Sequence, residues 1–132
     1  VKRITVMLSG VSTSGTSLVQ IQIGSGSVTT TGYSAQASYI SGASLSNSVY
    51  SSGFVILNSV SASLAYGGAA TLCLLGSNTW CESSSLGIAS GANGQFFSAG
   101  SIALGGTLDR VRITTVNGTD TFDAGSINIL YE

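Results

Sequence analysis

The chain has 132 residues, enough for one domain with a single core, and 7% of them are charged, against roughly 25% in ordinary soluble proteins. Its net charge of −1 and four basic residues, Lys2, Arg3, Arg110 and Arg112, exclude a substantial electrostatic footprint for nucleic acid or an anionic membrane. The mean hydropathy of +0.44 is carried by short alternating runs, none long enough for a spanning helix, so membrane insertion is not expected.

Residues 3–9 alternate, with Ile4, Val6 and Leu8 on one side and Arg3, Thr5, Met7 and Ser9 on the other. A Ser/Gly loop is expected over 10–17. The run 18–23 then puts Val19, Ile21 and Ile23 inward and Gln20 and Gln22 outward. These two runs make a plausible first antiparallel pair, each with a solvated polar face. The glycines at 24–26 break the second run, and 27–32 reads as a further short strand.

Regular order fades from Tyr33 to Gly53, where Tyr33, Tyr39 and Tyr50 are spaced through a Ser-rich stretch. Two readings stay open. The segment is a strand-loop-strand decoration with tyrosines packed on the sandwich rim, or an adaptable binding loop of the Tyr/Ser/Gly/Asn type. Residues 54–57 read as a short buried strand, and 60–64 as another. Gly67-Gly68 then breaks the chain before the strand 69–75. A three-residue turn at 76–78 would set Leu75 opposite Thr79, Leu74 opposite Trp80 and Cys73 opposite Cys81. The cysteines could form a cross-strand disulfide, but two buried free thiols fit better, because such bridges are strained. With no His and two thiolates, a zinc site is not expected. A Gly/Ala/Ser loop over 87–94 precedes a strand over 95–104 with a bulge near Gly100.

The last stretch, 108–132, reads as a β-hairpin turning at Asn117-Gly118, a pair suited to a type I′ turn. That turn would place Arg112 across from Asp123. No helical period is sustained anywhere. The count of about eight to ten short strands predicts an all-β, antiparallel sandwich of the jelly-roll kind, forming one domain over residues 1–132. So few charges on a small surface favour a homo-oligomer.

Three segments carry a resemblance. RVRITTVNGTDTFDAGSINILYE resembles the C-terminal segment of bacteriophage tail-fibre and tailspike proteins, and KRITVMLSGVSTSGTS and GSNTWCESS resemble earlier segments of the same domain, in the same order. The resemblance implies a trimeric β-structured tip in the virion tail, assembled in the host cytoplasm. Beginning at Val1 without an initiator Met, the chain reads as a C-terminal fragment of such a fibre. Any polysaccharide degradation would belong to an upstream β-helix.

Without His, a serine or cysteine nucleophile has no ordinary base. The acids Glu82, Asp109, Asp120, Asp123 and Glu132 do not space like a glycosidase pair, so no catalysis is expected. Oxygen ligands at 117–120 and Asp123 are explained by turn chemistry rather than calcium, so neither a metal nor a cofactor is expected. Neutral glycans are held by aromatic faces and directional hydrogen bonds. Tyr33, Tyr39, Asn47, Tyr50, Trp80, Asn93 and Gln95 are the candidates for that role, Trp80 being equally a core candidate. The expectation is a receptor-binding tip for bacterial surface carbohydrate, lipopolysaccharide or capsule. The alternative is a trimerisation cap that binds nothing.

Overall fold

The computed structural model describes residues Val1–Glu132 and contains no helix. Its first six strands are β1 (Arg3–Thr13), β2 (Val19–Ser25), β3 (Ser27–Val28), β4 (Ser34–Ser41), β5 (Ser44–Tyr50) and β6 (Phe54–Leu57). The remaining five are β7 (Tyr66–Gly76), β8 (Thr79–Ile88), β9 (Gln95–Ala103), β10 (Arg110–Thr115) and β11 (Phe122–Tyr131). They form two antiparallel sheets. One has seven strands in the order β11-β1-β7-β8-β9-β4-β5. The other has four, with β10 on one side of β2 and both β3 and β6 on the other.

The period-two pattern explains the layering. Ile4, Val6 and Leu8 of β1, Tyr66, Ala70 and Leu72 of β7, and Trp80 and Leu86 of β8 share one buried cluster with Val19, Ile21 and Ile23 of β2 and Phe54 and Ile56 of β6. Each sheet thus contributes one apolar face to a common core, as alternation requires when only one face of a strand is dry.

Several pairings differ from the sequence-based expectation. β1 and β2 do not pair: β1 lies between β11 and β7, and β2 lies in the other sheet. The outward side of β2 is not solvated either, since Gln20 and Gln22 are each 3% exposed. The expected loop at 10–17 is shorter, because β1 runs on to Thr13 through a register shift between Ser9 and Ser12. Residues 33–53 are regular: β4 and β5 form a continuous hairpin from Ala35↔Tyr50 to Ser41↔Ser44 at the sheet edge. Serine-rich strands with one open face lack the apolar contrast that period reading needs. Residues 60–64 form no strand, the third strand stops at Val28, and Gly67-Gly68 lies inside β7. β8 likewise extends to Ile88, into the expected loop at 87–94. Gly100 carries no bulge, since β9 keeps register with β8 and β4 through it. Glycine is needed there for closeness, as a Cβ would lie 2.6 Å from the Ser34 carbonyl oxygen.

The C-terminal hairpin does not form. β10 pairs with β2 and β11 pairs with β1, so Asn117-Gly118 turns the chain from one sheet to the other. Asn117 does not take positive φ, which a type I′ turn would demand; Gly118 does, at φ 70°. The Gly118 N–H donates to the Thr115 carbonyl at 3.1 Å, and Asn117 Oδ1 accepts the N–H groups of Thr119 and Asp120, both at 3.0 Å. This is an Asx-stabilised arch. Gly118→Val should therefore lose about 1–2 kcal/mol from backbone strain alone, since open space surrounds a Cβ there. A urea midpoint equal to the parent's would contradict the positive φ.

The two-residue turn of primed type lies elsewhere, at Ser77 (φ 48°) and Asn78 (φ 61°) between β7 and β8. Gly76 rather than Leu75 faces the start of β8, and the register shift falls between Leu74 and Gly76. Leu74↔Trp80 and Cys73↔Cys81 still oppose each other as spacing predicts. Both thiols are free, but they are not buried: Cys73 is exposed and Cys81 half-exposed, because odd positions of β7 and β8 here point away from the core.

Candidate functional site

Of the seven glycan-contact candidates, the structure removes two to the core. Trp80 is packed within the central cluster. Tyr33 is buried edge-on against Phe54, with ring centroids 4.9 Å apart. Its hydroxyl accepts from the Ile23 N–H at 2.9 Å and donates to the Thr29 carbonyl at 2.9 Å. That phenol is a structural tie, and burial raises its pKa. Tyr39 stacks on Phe96 at 4.8 Å and packs against the core, and Tyr50 is half-buried opposite Ala35. Asn93 lies in the exposed loop after β8, its carbonyl accepting from Ser41 Oγ at 3.1 Å.

Asn47 and Gln95 remain, and they share the outer face of the seven-stranded sheet. In β9, Gln95, Phe97 and Ala99 point outward while Phe96 and Ser98 point inward. Register sets Phe97 beside Ser38 and Ser38 beside Asn47; one row along, Ala99, Gln36 and Val49 align, and on the other side Gln95, Ile40 and Leu45. Directly opposed side chains on one face have Cβ atoms roughly 4.5–5.5 Å apart, so these rows form one platform. A shallow groove of about 430 Å³ crosses it, lined by Gln36, Ser38, Leu45, Asn47, Phe97 and Ala99. Phe97 is 38% exposed. Asn47 Nδ2 donates to Gln36 Oε1 at 3.3 Å, which orients both amides and leaves Asn47 Oδ1 and Gln36 Nε2 for another partner. The groove contains no charged side chain. Phe97, Gln36 and Ser38 were not singled out from sequence; the outward half of the alternation in QFFSA was the available signal.

The carboxylates occupy separate places. Asp109 pairs with Arg110 at 2.8 Å and accepts the Gly26 N–H, and the Arg110 hydrogen bond lowers its pKa. Asp120 accepts the Ser17 N–H at 2.9 Å, which lowers its pKa. Asp123 accepts from Ser12 rather than facing Arg112. Glu82 points into the core between Trp80 and Ser84 at 4% exposure. Its Oε1 accepts from Ser98 Oγ at 2.9 Å, Ser98 in turn bonds Ser84, and its Oε2 has no partner. Burial pushes the carboxyl up to about 7, against the lowering effect of the serines.

A second cavity, of about 350 Å³, lies on the outer side of the smaller sheet around Gln20, Gln22 and Arg112. A third, of about 380 Å³, is a mostly apolar groove bounded by Val1, Ile4, Leu108, Val111, Ile129 and Tyr131 together with the Asp109–Arg110 pair. Compared with protein-family models, curated proteins and solved structures, the chain matches none.

Proposed function

We propose that this chain is the receptor-binding tip of a bacteriophage tail fibre or tailspike, attaching the virion to bacterial surface carbohydrate through the outer-face groove at Phe97. The observation that carries the reading is one partly exposed aromatic ring set among oriented neutral amides and a hydroxyl, with no charge nearby. Sugar rings stack their C–H faces on such a ring while amides read the hydroxyls. The resemblance of the segments at 2–17, 76–84 and 110–132 to phage tail proteins supplies the biological setting. The proposal gives the domain no catalytic step. Adsorption to cells that the domain labels should fall at least about tenfold in Phe97→Ala or Asn47→Ala, as loss of an aromatic or directional contact at a small interface implies. Unchanged adsorption in both variants would contradict the reading.

The second reading, a trimerisation cap, has its own support. Leu45 and Val49 are 73% and 74% exposed on the open edge strand β5, which carries no charge. Leu130 and Tyr131 are exposed on the opposite edge strand β11. Native sheets usually guard edges with charges or proline, so the uncharged β5 edge favours pairing with another chain. We therefore propose a homotrimer, and sedimentation should give a mass near three times 13.2 kDa. A monomer mass across micromolar concentrations would refute it.

A further inference from the structure

β2 buries two glutamine side chains on the side facing away from the core, and the way they are covered makes a polar pocket. Gln22 and Gln20 oppose Arg112 and Thr114 of β10 across the ladder. The segment after β5 folds over them: Gln22 Nε2 donates to the Ser52 carbonyl at 2.6 Å, and Ser52 Oγ donates to Gln20 Oε1 at 3.0 Å. Gly53 makes this cover possible, since a Cβ there would lie 2.5 Å from Gln20 Oε1. Thr30 and Thr114 complete the wall.

Arg112 is the only charge in this cavity. Its Nε donates to Gln22 Oε1 at 2.9 Å, and Nη2 donates to the same oxygen. The one ion pair in the protein belongs to Arg110 and Asp109, so Arg112 has no carboxylate partner. A guanidinium has five N–H donors in a planar fork. Gln22 fills the Nε side and locks the group in place, leaving the Nη1/Nη2 end open with three N–H bonds unmade. Two parallel N–H donors at that spacing match the two oxygens of a carboxylate. The hydroxyls of Thr30, Thr114 and Ser52 and the Gln20 amide suit a ligand that also carries hydroxyl groups.

We propose that this cavity is a second subsite, which binds an acidic sugar by holding its carboxylate on Arg112. The sugar class rests on the carbohydrate-recognition reading above; the anion preference rests on Arg112 and Gln22 alone. The fork alone would fit carboxylate and phosphate oxygens alike, and the hydroxyl- and amide-lined wall is what points to a sugar acid; the volume falls within the roughly 300–1,000 Å³ of small-molecule sites.

The test is a titration of the ¹⁵N-labelled domain with methyl β-glucuronide, methyl β-glucoside and inorganic phosphate, followed by NMR. The glucuronide should move the amide signals of Gln20, Gln22 and Thr114, with binding at least about tenfold tighter than the glucoside. Arg112→Gln and Arg112→Lys should each remove that preference, because neither offers the free fork; Arg112→Lys keeps the cation and guards against an unfolded variant. Phe97→Ala should leave glucuronide binding intact. Equal binding of glucuronide and glucoside, stronger shifts with phosphate, or undiminished glucuronide binding in the Arg112 variants would overturn the subsite. Glucuronide binding lost in Phe97→Ala but kept in both Arg112 variants would overturn it while leaving the outer-face groove standing.

Discussion

Between pH 4.5 and pH 8 the stability of Glu82→Gln should gain about 3 kcal/mol on the parent, read as the difference of two denaturant-derived free energies. The cause is the carboxyl buried behind Ser98, with Oε2 unpartnered. Register neighbours Leu72 and Gly100 bring no charge, and the overlying β6 is wholly apolar, so no cation offsets desolvation. Folding raises this pKa from 4.5 to about 7. Below pH 4.5 both folded and unfolded chains hold the proton, and the site costs nothing beyond its packing. As pH rises, the unfolded chain releases the proton first, so parent stability declines until the folded pKa is passed. The chain has no histidine, so no imidazole competes in this window. Parallel pH curves for parent and Glu82→Gln would show that the carboxyl is solvated in the native state.

Trp80→Ala should cost about 3–5 kcal/mol, the usual loss for truncating a fully buried large aromatic. Trp80 is 2% exposed and lies between Leu74 and Ile102 across the ladders of β8. The cavity left behind would open the centre of the seven-stranded sheet. Phe97→Ala should cost only about 1 kcal/mol or less, because its ring leans on the outer face and leaves no enclosed void. The pair separates core from contact surface on stability alone: a Trp80 variant that melts with the parent, or a Phe97 variant that collapses, would reverse the assignment.

The alternation in β1 and β2 was legible because apolar and polar residues differ sharply there, and β6 was legible as a short unbroken apolar run. Partners were not. Val19, Ile21 and Ile23 say which face is apolar but not which sheet they belong to, and the expected pairing with β1 rested on a solvated polar face that β2 does not have. Asn117-Gly118 is a local signal that the chain reverses direction. It cannot distinguish a hairpin from an arch, because that choice is made by β1 and β2, about a hundred residues away. Of the two readings open for residues 33–53, the structure agrees with packed tyrosines on a two-stranded decoration rather than an irregular loop. Tyr33 follows Gly32 and Tyr39 stands between Ser38 and the outward Ile40, so no apolar alternation marked either ring as inward. Gln20 and Gln22 were read as solvated, since no local pattern announces that the loop at 51–53 will cover them. For Glu82, by contrast, the alternation through Trp80, Ser84 and Leu86 did mark an inward position.

The central claim is recognition of carbohydrate by the face that carries Phe97. Its most direct test is an array of bacterial surface glycans probed with the parent domain and with Phe97→Ala at equal folded concentration. The account predicts that the parent labels a restricted set of glycans and that Phe97→Ala loses that labelling while its melting temperature stays within a few degrees. A parent that labels nothing, or a variant that labels the same set with the same strength, would contradict it.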